Sequence, residues 1–163
     1  MSKRIFGALI AVIILAGAVA AQKSFYNKEF KFGFKSPVGS KIKTDADSLF
    51  AYEPMKGVAK VTFRKSSAEA MVSAATITQD ACHKLSTDED TPRKKKFGKI
   101  TFEKVAGTEG GMESVQPYET YRTFHDGMCY EIRVAVVMAK YGKRNSAPYL
   151  AKLYPILSTF YFK

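Results

Sequence analysis

Tryptophan is absent from the 163 residues, and cysteine and histidine occur only twice each. Sulfur and imidazole are too scarce for more than one metal centre, and the pairs Cys82-His83 and His125-x-x-x-Cys129 match no recognised ligand spacing. No second long apolar run follows residue 21, so nothing beyond the N-terminus reads as a membrane span. Internal repeats and low-complexity tracts are missing as well. So are His-Glu-x-x-His, Gly-x-Ser-x-Gly, a phosphate-cradling glycine loop and a paired-carboxylate constellation. These absences leave an enzyme reading without an anchor, and the expectation is a non-catalytic chain that needs no cofactor.

What is present begins with "MSKRIFGALIAVIILAGAVAAQK". Lys3 and Arg4 precede an uncharged apolar run that finishes in Ala18, Ala20 and Ala21, the three-part form of a secretory signal. Small side chains at positions 18 and 20 place the cut after Ala20, with Ala21 nearly as good. The absence of a following cysteine argues against a lipid-anchored route. The alternative is an uncleaved anchor, since Ile5 to Ala21 is 17 residues, at the lower edge of what spans a bilayer. Residues 1–21 are therefore expected to be a signal peptide and residues 22–163 one α+β domain, periplasmic or secreted, without a transmembrane segment.

That remainder is long enough to bury about two-thirds of its unfolded surface, and 12 Phe with 9 Tyr can fill the interior. Loss of Lys3 and Arg4, with all 15 acids kept, lowers the formal charge from +11 to +9. For an exported chain so basic, the accessible polyanions are cell-wall polymers, lipid head groups and acidic glycans rather than nucleic acid. The expected partner is an envelope protein or an anionic surface. The densest basic cluster, Arg93, Lys94, Lys95, Lys96 and Lys99 in "STDEDTPRKKKFGK", reads as a surface loop and is the candidate polyanion contact, with a merely solvated loop as the plainer reading.

Phe30, Phe32 and Phe34 alternate with Lys31, Gly33 and Lys35, the period of a strand with one buried face, and Ser36-Pro37 turns the chain. "SLFAYEP" and "VAKVTFR" read as a hairpin turning at Lys56-Gly57. In residues 66–86 a strand is expected to precede a helix capped by Thr78. "KITFEKV" reads as a strand and "AGTEGGM" as a turn. Near the C-terminus, Leu150, Leu153, Tyr154 and Leu157 have helical spacing, with Ser146 placed to cap and Pro155 disturbing the helix near its end. Phe160 and Phe162 alternate with Tyr161 in a last strand.

"YRTFHDGMCYEIRVAVV" holds the clearest local signal. Asp-Gly between β-rich runs predicts a type I′ hairpin, pairing His125 with Met128, Phe124 with Cys129, Thr123 with Tyr130, Arg122 with Glu131 and Tyr121 with Ile132. An Arg122–Glu131 cross-strand contact is worth about 0.2–1 kcal/mol. In this register Met128, Tyr130, Ile132, Val134, Val136 and Met138 share the core face, while Cys129, Glu131 and Arg133 point the other way. A helix carrying Cys82 is the natural cover for that second face. In an exported chain the two cysteines are expected to form a Cys82–Cys129 disulfide. A metal site or a Cys129–His125 catalytic pair would require His125 and Cys129 on one face, which the register denies.

The early aromatic strand ending in "KSPVG", the hairpin "YRTFHDGMCYEI" and the closing "LAKLYPILSTFYF" together resemble the PsbP-like α/β sandwich of small exported proteins, many of them uncharacterised bacterial chains. The resemblance covers most of residues 22–163. It implies an antiparallel β-sheet with helices packed on its faces, and an accessory rather than catalytic role; no docking segment of the photosynthetic members is matched, so no functional residue follows from it. The rival class is an envelope enzyme whose site is gathered from separate loops.

Overall fold

Asp126 and Gly127 adopt φ of 46° and 77°, and the turn they make sets the middle of the molecule. A computed structural model describes residues 22–44, 53–111, 113–139 and 145–163. In it the strands flanking the turn, β8 (Ser114–His125) and β9 (Met128–Val136), pair antiparallel in the register read from the sequence, from His125↔Met128 to Tyr121↔Ile132. Gly127 supplies the positive φ at the second turn position without a Cβ penalty. On the far side β9 pairs with β5 (Ser66–Thr76), so the strand richest in Val and Ile is enclosed by neighbours on both edges.

Among the described residues two antiparallel sheets form. The larger runs β3-β4-β5-β9-β8-β7-β6, with the short β10 (Met138–Ala139) paired to β8. Its remaining members are β3 (Ser40–Lys43), β4 (Lys56–Phe63), β6 (Arg93–Phe97) and β7 (Ile100–Gly110). The smaller is β1-β2-β11, from β1 (Ser24–Asn27), β2 (Phe32–Lys35) and β11 (Tyr161–Phe162). Phe32 and Phe34 of β2 are fully buried against the larger sheet, where Phe32 meets Tyr130 edge-on at 5.6 Å between ring centroids. Two short helices, α2 (Ala147–Ala151) and α3 (Tyr154–Thr159), complete this layer with buried Leu150, Leu153, Ile156 and Leu157. One contiguous apolar cluster joins both sheets and these helices. The opposite face of the larger sheet carries α1 (Gln79–Glu89). The architecture is α+β, an antiparallel sheet with helices on its faces.

The strand-then-helix reading of residues 66–86 holds, and the Thr78 side chain accepts from the Ala81 amide at 3.2 Å as an N-cap. Several expectations are corrected. Lys56 and Gly57 do not turn; they open β4 opposite Ala74 and Ser73, and a register shift follows Gly57, so the glycine marks a bulge. The arm expected before them falls largely in residues 45–52, outside the described residues. Phe30 is buried but sits in the β1–β2 turn, its amide bonded to Asn27 Oδ1 at 2.8 Å. Ala106 to Gly110 continue β7, because β8 offers them a full ladder of partners. Pro155 opens α3 instead of ending one longer helix, consistent with the tolerance for proline in a first turn. Ser146 makes no side-chain cap; Asn145 Oδ1 accepts from the Ala147 amide at 3.0 Å in its place.

Candidate docking edge and adjoining cleft

The basic cluster is not a loop. Arg93 to Phe97 form β6, the edge strand of the larger sheet, with the pairs Lys94↔Glu103, Lys95↔Phe102 and Lys96↔Thr101 on β7. Successive side chains on a strand point to opposite faces. Lys94 and Lys96 therefore share the α1 side with Glu103, whereas Arg93 and Lys95 share the core side with Lys104 and Phe102. Lys99 lies past the Gly98 turn. All five cations are exposed, and among the described residues none is in an ion pair. Poor strand propensity disguises such a segment in a sequence, yet lysines are what an exposed edge uses to repel stray strands.

Between β6–β8 and the N-terminal half of α1 lies an open cleft of about 410 Å³, whose polar lining includes Asp80, His83, Lys94 and Glu103. His83 Nδ1–H donates to Glu103 Oε1 at 2.7 Å, joining helix to strand. Cys82, also on the lining, is bonded to Cys129 with a Cα–Cα distance of 5.5 Å, as expected from the sequence. Both sulfurs are buried and neither is free. His125 lies on the other side of the sheet, stacked on Phe162 at 4.1 Å, so the hairpin does separate it from Cys129. Among the described residues no group of three or more His, Cys, Asp or Glu is arranged to hold a metal ion.

Beneath the C-terminal half of α1 the Arg122–Glu131 pair proves to be far from a surface contact. Arg122 is 1% exposed and Glu131 2%. The guanidinium donates to Glu131 Oε2 from Nε at 2.7 Å, to the Leu85 carbonyl from Nη1 at 2.9 Å, and to Glu89 from Nη2. Breaking a buried pair of this kind costs several kcal/mol, well above the cross-strand value expected from the sequence. On the core side a second carboxylate, Glu119, accepts from Lys104 Nζ at 2.6 Å, Tyr121 OH at 2.7 Å and Tyr154 OH at 2.8 Å. Burial works against its ionisation, but those three donors prevail and hold its carboxyl below the usual range. Burial, and then Glu119 itself, push the Tyr121 and Tyr154 hydroxyls up. Both networks tie helices to strands, and Arg122 also reaches the cleft lining as the β8 partner of Glu103.

The His83–Glu103 pair was not anticipated; only the helix placement brings them together, and no local spacing encodes it. The basic residues expected in a loop lie instead on strand β6 from Arg93 to Lys96, with Lys99 past the turn.

No protein-family model matches the chain, and no curated protein sequence matches it. Among solved structures it is similar to a Bacteroides thetaiotaomicron VPI-5482 protein, with a TM-score of 0.61 and 14% identity over 87% of this chain and 48% of that one. The chain thus spans about half the length of that protein. It is also similar to PsbP (CyanoP) from Synechocystis sp. PCC 6803, with a TM-score of 0.48 and 10% identity, covering 96% of this chain and 98% of that one. At such identities the likeness is one of fold, and fold alone does not carry function.

Proposed function

We propose that the protein is an exported, non-catalytic accessory module of the cell envelope, and that it docks an acidic partner through the β6 edge. The observation that carries this reading is the concentration of exposed cations from Arg93 to Lys99 with no ion-pair partner among the described residues. Three other cations of the same sheet are engaged, Lys60 with Glu69 at 2.9 Å, Lys104 with Glu119 at 2.6 Å and Arg133 with Glu109 at 2.6 Å, and the exposed Lys41 and Lys43 on β3 form no comparable cluster. The disulfide is compatible with an oxidising compartment, and the expected signal peptide lies outside the described residues.

Replacement of Lys94, Lys95 and Lys96 by Gln tests the reading on an immobilised acidic polymer. The variant should elute at much lower salt than the parent, with a smaller slope of log affinity against log salt. Unchanged retention removes the edge from docking.

A second reading has one observation in its favour, the His83–Glu103 pair in the cleft. Such a pair orients an imidazole as a general base, but the sulfur beside it is committed to the disulfide. Loss of a measurable hydrolytic activity in His83→Ala would establish the enzyme.

A further inference from the structure

We propose a second, membrane-facing surface: the end of the molecule formed by the β2–β3 turn, the β4–β5 turn and α2 docks on a bilayer rich in anionic phospholipid. The inference rests on the envelope reading above but not on the β6 edge, which lies at the opposite edge and towards the opposite end of the larger sheet.

Five large apolar side chains stand out as exposed among the described residues, and their distribution is uneven. Tyr26 and Tyr161 stack on each other, 6.5 Å between centroids and 7° from parallel. The other three, Val38 at 54%, Val137 at 45% and Tyr149 at 39% exposure, belong to one end. Val38 sits in the β2–β3 turn beside Gly39, which shares a cleft of about 310 Å³ with Phe63, Arg64, Lys65 and Lys152. Lys152 Nζ lies 5.4 Å from the centroid of the Tyr149 ring. Ser67, next along β5, donates through its hydroxyl to the Val137 carbonyl at 2.6 Å and accepts from the Val137 amide at 3.3 Å.

Among the described residues the charged side chains lining the cleft beside Val38 are all cationic. Arg64, Lys65 and Lys152 are exposed, and among the described residues none is in an ion pair. The nearest acid along β5, Glu69, is taken by Lys60, while Glu113 precedes Ser114, the β8 partner of Ala139, on the Val137 side away from Arg64 and Lys65. Exposed apolar and aromatic side chains ringed by long cationic ones suit the interface of a negatively charged bilayer, where the chains sink below the head groups while the cations remain among the phosphates. A soluble polyanion would use the cations and leave the valines unexplained.

The path of the chain agrees. The Ser36 amide donates to the Lys23 carbonyl at 2.8 Å, so the covalent link to the apolar residues 5–21 enters the described fold beside the Val38 turn. A retained anchor would deliver this end to the bilayer, and cleavage after Ala20 or Ala21 would place a new cationic amine next to it.

The test uses the protein as exported and phosphatidylglycerol vesicles, with phosphatidylcholine vesicles as control. Wild type should partition to the anionic vesicles only, and each neutralised cation should weaken this about fivefold, or about 100-fold for Arg64→Gln, Lys65→Gln and Lys152→Gln together. Val38→Ser with Tyr149→Ser should weaken it further at high salt, where the apolar contribution is left. Lys94→Gln, Lys95→Gln and Lys96→Gln should leave vesicle binding unchanged while bringing elution from the acidic polymer to much lower salt, so the two docking readings fail separately. Hydrogen exchange gives a readout independent of any retained anchor: on anionic vesicles the amides of residues 38–40 and 64–67 should be protected in wild type and not in the triple variant. Equal binding by the Arg64, Lys65, Lys152 variant, equal loss in both triple variants, or no protection at these turns overturns the proposal.

Discussion

The two faces of β9 live in different chemistries. Tyr130, Ile132, Val134 and Val136 enter an apolar cluster shared by both sheets, where contacts are many and no single one is directional. Cys129 and Glu131, one step along the same strand, enter a thinner layer beneath α1, where the disulfide sits in a small apolar cluster with Met55, Ala75 and Leu85 and the Arg122 guanidinium bonds Glu131, the Leu85 carbonyl and Glu89. Of the α1 side chains only Cys82 and Ser86 are buried, so the helix brings little hydrocarbon to its contact. A hydrophobic face holds its cover by area; this polar face holds α1 by a few bonds to named atoms. The first arrangement degrades gradually under substitution, and the second fails at single positions.

The largest expected effects come from truncating one member of each face. Phe32→Ala should destabilise the fold by about 3–5 kcal/mol through the void it leaves, and Arg122→Met by about 3–5 kcal/mol because Glu131 stays buried without its main partner. Urea unfolding measures both, and the double variant Arg122→Met, Glu131→Leu separates them. It should recover most of the stability lost in the single variant, since apolar groups of similar volume replace a buried pair at little cost. If the double variant is no better than the single one, the ion pair contributes net stability and the comparison must be redrawn.

Removal of the disulfide by Cys82→Ala with Cys129→Ala comes next. Closing the 47-position loop contributes about 4 kcal/mol in the chain-entropy model. Native-state hydrogen exchange should then show α1 opening before β5, β8 and β9. Uniform loss of protection would mean that α1 is held as the core is held.

Glu119 gives a smaller and pH-dependent contribution, about 1.5–3 kcal/mol for hydrogen bonds to a charged group. Its folded pKa lies below the ordinary value. The contribution is therefore complete above the ordinary glutamate range and drains away as the pH falls through the lower folded value. Glu119→Gln should flatten that acid limb of the stability curve, read from thermal midpoints across acidic pH.

The smallest change expected is Thr120→Val. The Thr120 hydroxyl is fully buried on the α1 side and has no hydrogen-bond partner among the described residues. An isosteric apolar replacement should alter stability by less than about 1 kcal/mol, in either direction. A larger loss would show that the hydroxyl is satisfied within the polar layer.

How much of this was legible in the sequence follows from the range of each signal. The Asp126-Gly127 turn dictates the β8–β9 register locally, and from that register the two faces and the disulfide follow. Thr78 announces α1 in the same way. What escaped depends on distant partners: Lys56-Gly57 has turn chemistry in isolation, but Ala74 and Ser73 of β5 pair with it and make it strand. Arg93 to Lys99 looks like solvent-facing filler until β7 supplies its ladder. Arg122 and Glu131 were paired correctly, yet burial under α1, which changes their energetics most, arises from a helix 33 positions away in the chain. The cations of the proposed membrane-facing end are scattered at 64, 65 and 152, so no window of sequence contains them.

The small sheet has a consequence for how the protein matures. β2 is flanked by β1, next to it in the chain, and by β11, while the Lys35 amide is held by the Thr159 hydroxyl across 124 positions. A polypeptide synthesised N-terminus first presents β1 and β2 as a two-stranded hairpin long before residues 159–162 emerge. Phe32 and Phe34 thus wait without Phe160 until residues 159–162 emerge to cover them.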